Sequence, residues 1–206
     1  AELELLGTAA TVVPADLVDQ VDPALESVVP ATANTIGLLA TAADWYGVSD
    51  RLDEIFAPPY DETVQDLLAS ACTPDVDFEE DPTLEELFAP GLLEAASDDT
   101  LTELDPWGCI LTDNSLTHTE ISRGDTFADT YSLLYVLAGE DDLVNTPASR
   151  SSAEELCEED SMPIEYLECA GAGHGEGTFW SVPELIDFVD ARARRVPPDS
   201  GELCTF

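Results

Sequence analysis

Apolar residues change their spacing twice along this chain. Residues 3–17, LELLGTAATVVPADL, open with an apolar, β-prone run that stops at Pro14 before a helix-like start, the pattern of a buried strand leaving a sheet for a loop. From about residue 18 to 125, apolar positions recur at intervals of three and four, as in ANTIGLLATAADWYGVSDRLDEIF and DETVQDLLASAC, which predicts helices. Pro23, Pro30, Pro58, Pro59, Pro74, Pro82, Pro90 and Pro106 cut this stretch into short pieces. Most of its apolar stripe, including Ile36, Leu38, Leu39, Trp45, Ile55, Phe56, Leu67, Leu68, Leu84, Leu87, Phe88 and Leu92, reads as the core of a helical subdomain.

After ISRGDTFADTY the spacing changes to strand, helix, strand, helix. SLLYVLAGEDD (132–142) is a continuous apolar strand, PASRSSAEELCEED (147–160) a helix and PIEYLECAGAG (163–173) a second strand. SVPELIDFVDARARR (181–195) is a closing helix, with Leu185, Ile186, Phe188 and Val189 expected to face inward. Apolar strands alternating with helices imply an α/β fold with a parallel sheet covered on both faces. The expected organisation is a strand and lead at 1–17, a helical subdomain at 18–125 and an α/β core at 126–206.

Composition narrows the function. The 206 residues contain 45 Asp and Glu against six arginines, for a formal net charge of −39. Nucleic acid and anionic membranes would be repelled, so neither is an expected partner. Self-repulsion on this scale calls for screening, and the Debye length falls from about 10 Å at 0.1 M salt to about 3 Å at 1 M; the surface reads as adapted to high salt. A calcium-loaded surface is the alternative, centred on TPDVDFEEDPTLEE (73–86), but that run lacks the glycine and ligand spacing of a calcium loop. Cys72, Cys109, Cys157, Cys169 and Cys204 form no CxxC pair and no metal-ligand spacing, so disulfides in an exported protein are expected and a metal is not. The odd number leaves at least one thiol free or paired outside the chain, and the tail is expected to be tied down by Cys204. No apolar run is long enough to cross a membrane, and no signal peptide is present.

Candidate chemistry sits at the carboxyl ends of the two predicted core strands, where functional side chains of parallel sheets gather. Asp142 follows LLYVLAGED and His174 follows EYLECAGAG, so adjacent strands would bring them to one rim. There an aspartate can fix the tautomer of an imidazole whose other nitrogen acts as general base. Asp141 is the competing acid, because two aspartates stand in succession and one of them points the right way. His118, in NSLTHTE, has no strand-end context and reads as a surface residue.

LLYVLAGEDDLVNTPASRSSAEELC, PIEYLECAGAGHGEG and DARARRVPPDSGELC together resemble the C-terminal half of α/β-hydrolases, in particular the secretory lipase family. ELELLGTAATVVPADL resembles the sheet strand that leads into the cap of those enzymes. The resemblance implies the C-terminal part of an α/β-hydrolase fold with a helical cap insertion at 18–125. It also implies secretion, a lipase- or esterase-like serine hydrolase activity on ester or lipid substrates, and no cofactor. From Gly139 the family's acid falls at Asp142, and the histidine of its GxGH turn at His174. The family's nucleophile precedes both, in a GxSxG elbow. GVSDR (47–51) is the nearest approach here, and it lacks the second glycine. The chain is therefore expected to be one part of a larger enzyme, inactive by itself, with its serine in a preceding segment as partner. Two other readings stay open: a non-catalytic binding module on the same scaffold, and a hydrolase of this fold with an aspartate or cysteine nucleophile.

Overall fold

A computed structural model of the chain describes residues 5–70, 82–117, 131–159 and 161–206. Cys72, His118 and positions 73–81 of the acidic run lie outside the described residues. The chain divides into two units, Ala1–Asp16 with Leu116–Phe206, and Leu17–Ser115.

The first unit is built on a parallel sheet of β1 (Thr8–Thr11), β2 (Leu133–Ala138) and β3 (Ile164–Cys169), in that spatial order. Every residue of β2 is buried, which explains its unbroken apolar sequence, because a central parallel strand is covered on both faces. Alternate side chains divide between two layers. Leu133, Tyr135 and Leu137 pack with Ala153 and Leu156 of helix α7 (Thr146–Glu158), whereas Leu134 and Val136 pack with Phe188 of α9 (Val182–Ala193). The mixed α/β architecture with a parallel sheet flanked by helices agrees with the sequence pattern.

Helix α9 departs from its expected facing. Phe188 is buried and Leu185 packs against the sheet, but Ile186 and Val189 are exposed. The inward stripe runs through Leu185, Phe188 and Arg192 instead. Arg192 is buried at 6% exposure, donates to Ser132 Oγ at 2.8 Å, pairs with Glu165 at 3.4 Å and lies over the Phe188 ring. A buried guanidinium needs such partners to offset its desolvation, and they turn the helix so that residues 186 and 189 point away. A Cβ on Gly7 would lie 2.8 Å from Arg192 Cγ, so the chain entering β1 passes close under this helix.

The outer edge of β3 is covered by the tail. Glu165 bridges Leu203, Cys204 N–H donates to Ile164 O at 2.8 Å, and Cys204 forms a disulfide with Cys157 on α7. Phe206 packs on the Tyr166 ring. On the same strand Glu168 accepts from Arg150 and Tyr166; the guanidinium, chiefly, holds the carboxyl below the usual glutamate range, while burial pushes the Tyr166 phenol up to about 12.

The second unit contains α1 (Leu17–Glu26), α2 (Ala31–Tyr46), α3 (Tyr60–Ser70), α4 (Leu84–Leu87), α5 (Pro90–Ser97) and α6 (Trp107–Asp113). Ile36, Leu39, Ile55, Phe56, Leu87, Phe88 and Leu92 form its core around the fully buried Trp107, as the three-and-four spacing predicts. Trp45 and Leu67 are exceptions and face solvent. Gly47, at φ +71°, ends α2 in the left-handed conformation that suits glycine. Among the described residues, no helix is long and apolar enough to cross a membrane.

The disulfide closes a loop of sequence separation 47. Replacing Cys204→Ser is expected to lower unfolding free energy by about 2–4 kcal/mol. A fall in the denaturant midpoint would show it.

Candidate active site

Register places the site. Ala138 stands opposite Cys169 at the ends of β2 and β3, so the loops that follow leave from one rim. Those loops are then bound together: Gly139 N–H donates to Cys169 O at 3.0 Å, and Glu140 N–H to Ala172 O at 2.9 Å. Gly171 adopts φ +77°, turning the second loop back over the sheet.

His174 begins the short helix α8 (His174–Trp180). Gly173 N–H donates to Glu176 Oε2 at 2.9 Å, which fixes the start of the helix. Gly177 lets α8 settle against the strand ends, since a Cβ there would lie 2.8 Å from Ala138 Cβ and 2.9 Å from Val12 Cγ1. His174 is thus held by backbone on both sides, with its side chain 36% exposed.

Its partner is Asp141. Nδ1 of His174 lies 3.1 Å from Asp141 Oδ1 and 3.0 Å from Oδ2. The Asp141 side chain is 1% exposed, and its Oδ1 also accepts from the amides of Leu143 and Val144 at 2.8 and 2.9 Å. Asp142, the acid expected from the count after Gly139, is exposed to solvent and does not meet the imidazole. The structure sets Asp141, not the expected Asp142, against the imidazole. The physical reason is local: the side chain of Asp141 folds over its own turn and accepts two backbone amides, which points it into the rim and leaves its successor pointing out. That turn precedes Asn145, whose side chain accepts from Ala148 N–H to cap α7, and Thr146, whose hydroxyl donates to Ala138 O at 2.7 Å.

The geometry gives the imidazole a defined polarity. Nδ1–H donates to the carboxylate, which leaves the Nε2 lone pair available to take a proton. Among the described residues, no hydroxyl or thiol is hydrogen-bonded to this histidine. Cys169, at the end of β3, lies against Gly177 O, and burial, aided by the negative charge of Glu184, pushes its thiol pKa up, opposite to what a thiolate nucleophile needs. No three His, Cys, Asp or Glu side chains among the described residues converge as metal ligands.

No protein-family model matches this chain, and no curated protein matches it in sequence. Its fold is shared with solved structures. A Legionella pneumophila protein assigned provisionally as a hydrolase superposes over 94% of this chain and 50% of its own length, at 15% identity and a TM-score of 0.60. A ligand-bound form of the rice cell wall degrading esterase LipA from Xanthomonas oryzae matches 91% of this chain and 49% of its own, at 13% identity and a TM-score of 0.51. The chain spans about half the length of each, and the likeness shows a shared fold.

A downfield Nδ1 proton is expected for His174 in proton NMR, retained in Asp142→Asn and moved or lost in Asp141→Ala. A signal sensitive to residue 142 and indifferent to residue 141 would reverse the assignment.

Proposed function

We propose that this chain supplies the acid and base of a serine ester hydrolase, lipase- or esterase-like, whose nucleophilic serine lies outside these 206 residues. One observation carries the reading: a buried carboxylate, held by two amides, grips Nδ1 of a strand-end histidine whose other face is open. Hydrolase-like neighbours of the same fold support it at the level of hydrolytic chemistry.

In the proposed reaction His174 Nε2 takes the proton of the serine hydroxyl as its oxygen attacks the ester carbonyl. Asp141 holds the ring in the required tautomer and stabilises the imidazolium. The tetrahedral oxyanion collapses, His174 returns the proton to the leaving alcohol, and an acyl-enzyme remains. His174 then activates water to release the acid. The helical unit acts as the cap over the substrate, and the whole works as a secreted protein in high salt, which the net charge of −39 supports. No metal or organic cofactor takes part in this scheme.

A fluorophosphonate serine-hydrolase probe is expected to label the native protein on a serine outside this chain. Asp141→Asn should lower kcat/KM by about 10⁴-fold, as wrong-tautomer variants of such triads do, whereas Asp142→Asn should stay near the parent. Labelling of a serine inside the 206 residues, or none in the native protein, would sink the proposal.

Stability should rise as salt increases from about 0.1 M to about 1 M, over which the Debye length shrinks from about 10 to about 3 Å. A melting temperature indifferent to salt would count against salt adaptation.

A further inference from the structure

Basic side chains are scarce in this chain and unevenly placed. It has no lysine and six arginines, of which Arg194 and Arg195 are the one adjacent pair. Arg51 is half-buried against Glu54 and Asp105, Arg150 is half-buried against Glu168, and Arg192 is buried against Ser132 and Glu165. Arg123 lies outside the described residues. Among the described residues, Arg194 and Arg195 are therefore the exposed arginines.

The pair stands where the chain leaves α9. Residues 193–197 are exposed in succession, beginning with the last residue of the helix. Two backbone hydrogen bonds close this turn, from Arg195 N–H to Arg192 O and from Val196 N–H to Ala191 O, each at 2.9 Å. Arg195 takes φ +57°, a left-handed conformation that a residue with a side chain adopts at some cost. Pro197 and Pro198 follow and cannot continue the helix. The ion pair of Arg194 with Asp190, at 3.0 Å, is exposed on both sides and contributes little. A helix end held this weakly opens locally, and exposed segments of this kind are where proteolytic nicking concentrates.

We infer that Arg195–Val196 is a processing site, hydrolysed in the folded protein by an endoprotease whose two adjoining acidic pockets take paired basic residues. An acidic pocket selects a basic side chain just before the scissile bond, which is Arg195, and a second such pocket takes Arg194. Water adds across the bond, leaving a carboxylate on Arg195 and an ammonium on Val196. The sequence reads Arg-Ala-Arg-Arg over 192–195, but Arg192 is locked beneath the helix by Ser132 and Glu165. Recognition therefore falls on the adjacent pair and not on the more distant arginine. The inference does not depend on the hydrolase reading.

The cut product stays in one piece. Residues 196–206 remain attached through the Cys157–Cys204 disulfide, the Cys204 N–H bond to Ile164 O and the packing of Phe206 on Tyr166. Cleavage thus leaves the β3 edge covered, and detaching the tail takes a second step, reduction of that disulfide by a thiol. In the uncut chain the same reduction leaves the tail joined to α9 through Arg195.

The test incubates the full native protein with a subtilisin-like endoprotease specific for paired basic residues, beside a synthetic peptide of residues 190–199 in the same buffer. Intact mass is read before and after dithiothreitol. The expected non-reduced product is heavier by one water, and reduction releases residues 196–206 as a peptide. Arg194→Gln and Arg195→Gln should each slow cleavage by about tenfold or more, because an acidic pocket then lacks its charged partner, while circular dichroism stays unchanged. A peptide that is cut while the folded bond stays intact, a peptide left uncut, or a first cut elsewhere in these 206 residues overturns the proposal. Protein isolated from its native host should likewise yield residues 196–206 on reduction, and chains that are all continuous through Arg195–Val196 would overturn it as well.

Discussion

The parallel pairing of β2 with β3, ending with Ala138 opposite Cys169, is the constraint on which the rest of this site depends. Parallel strands direct both of their following loops to the same rim, so an acid and a base thirty-odd residues apart in sequence can meet without a long reach. A shift of register by one residue would turn each side chain of β2 to the opposite layer, setting Tyr135 and Leu137 against α9 and Val136 against α7. The packing of two dissimilar helices on the two faces therefore protects the register, and the register protects the dyad.

Around that pairing the rim is assembled almost entirely from backbone contacts. Gly139 and Glu140 tie the acid loop to the histidine loop, Leu143 and Val144 hold the carboxylate, and Glu176 holds the turn that presents His174. Such a rim leaves few rotamers to be frozen. The buried Arg192, Glu165 and Ser132 cluster anchors α9 near the opposite end of the strands. It also turns Ile186 and Val189 outward, so one ion pair inside the unit shapes a surface outside it.

The two edges of the sheet are treated differently. At β3 the tail and its disulfide cover the backbone, in keeping with how folded proteins manage an edge strand. At β1 the described residues offer no such cover, although the strand is short and its Thr8 and Ala9 are exposed. A run that reads as buried yet lies half open is the point at which local pattern and local environment disagree.

Much of this was legible in the residues themselves. The unbroken apolar run of β2, the helical spacing of the second unit and the glycine-rich turn before His174 follow from periodicity and backbone freedom, which are local properties. The pairing of acid with base was legible as a region, two loops on one rim, but not as a residue: Asp141 and Asp142 have the same chemistry, and the choice fell to two amide hydrogen bonds within the folded turn. Likewise the inward face of α9 was decided by the depth at which Arg192 found Ser132 and Glu165. Sequence determined the elements and the chemistry available at their ends, because those depend on neighbours along the chain. Tertiary structure decided which helix face and which cysteine pair, because each depends on partners distant in sequence and brought near only when the sheet has formed, while the choice of aspartate waited on the folded geometry of its own turn.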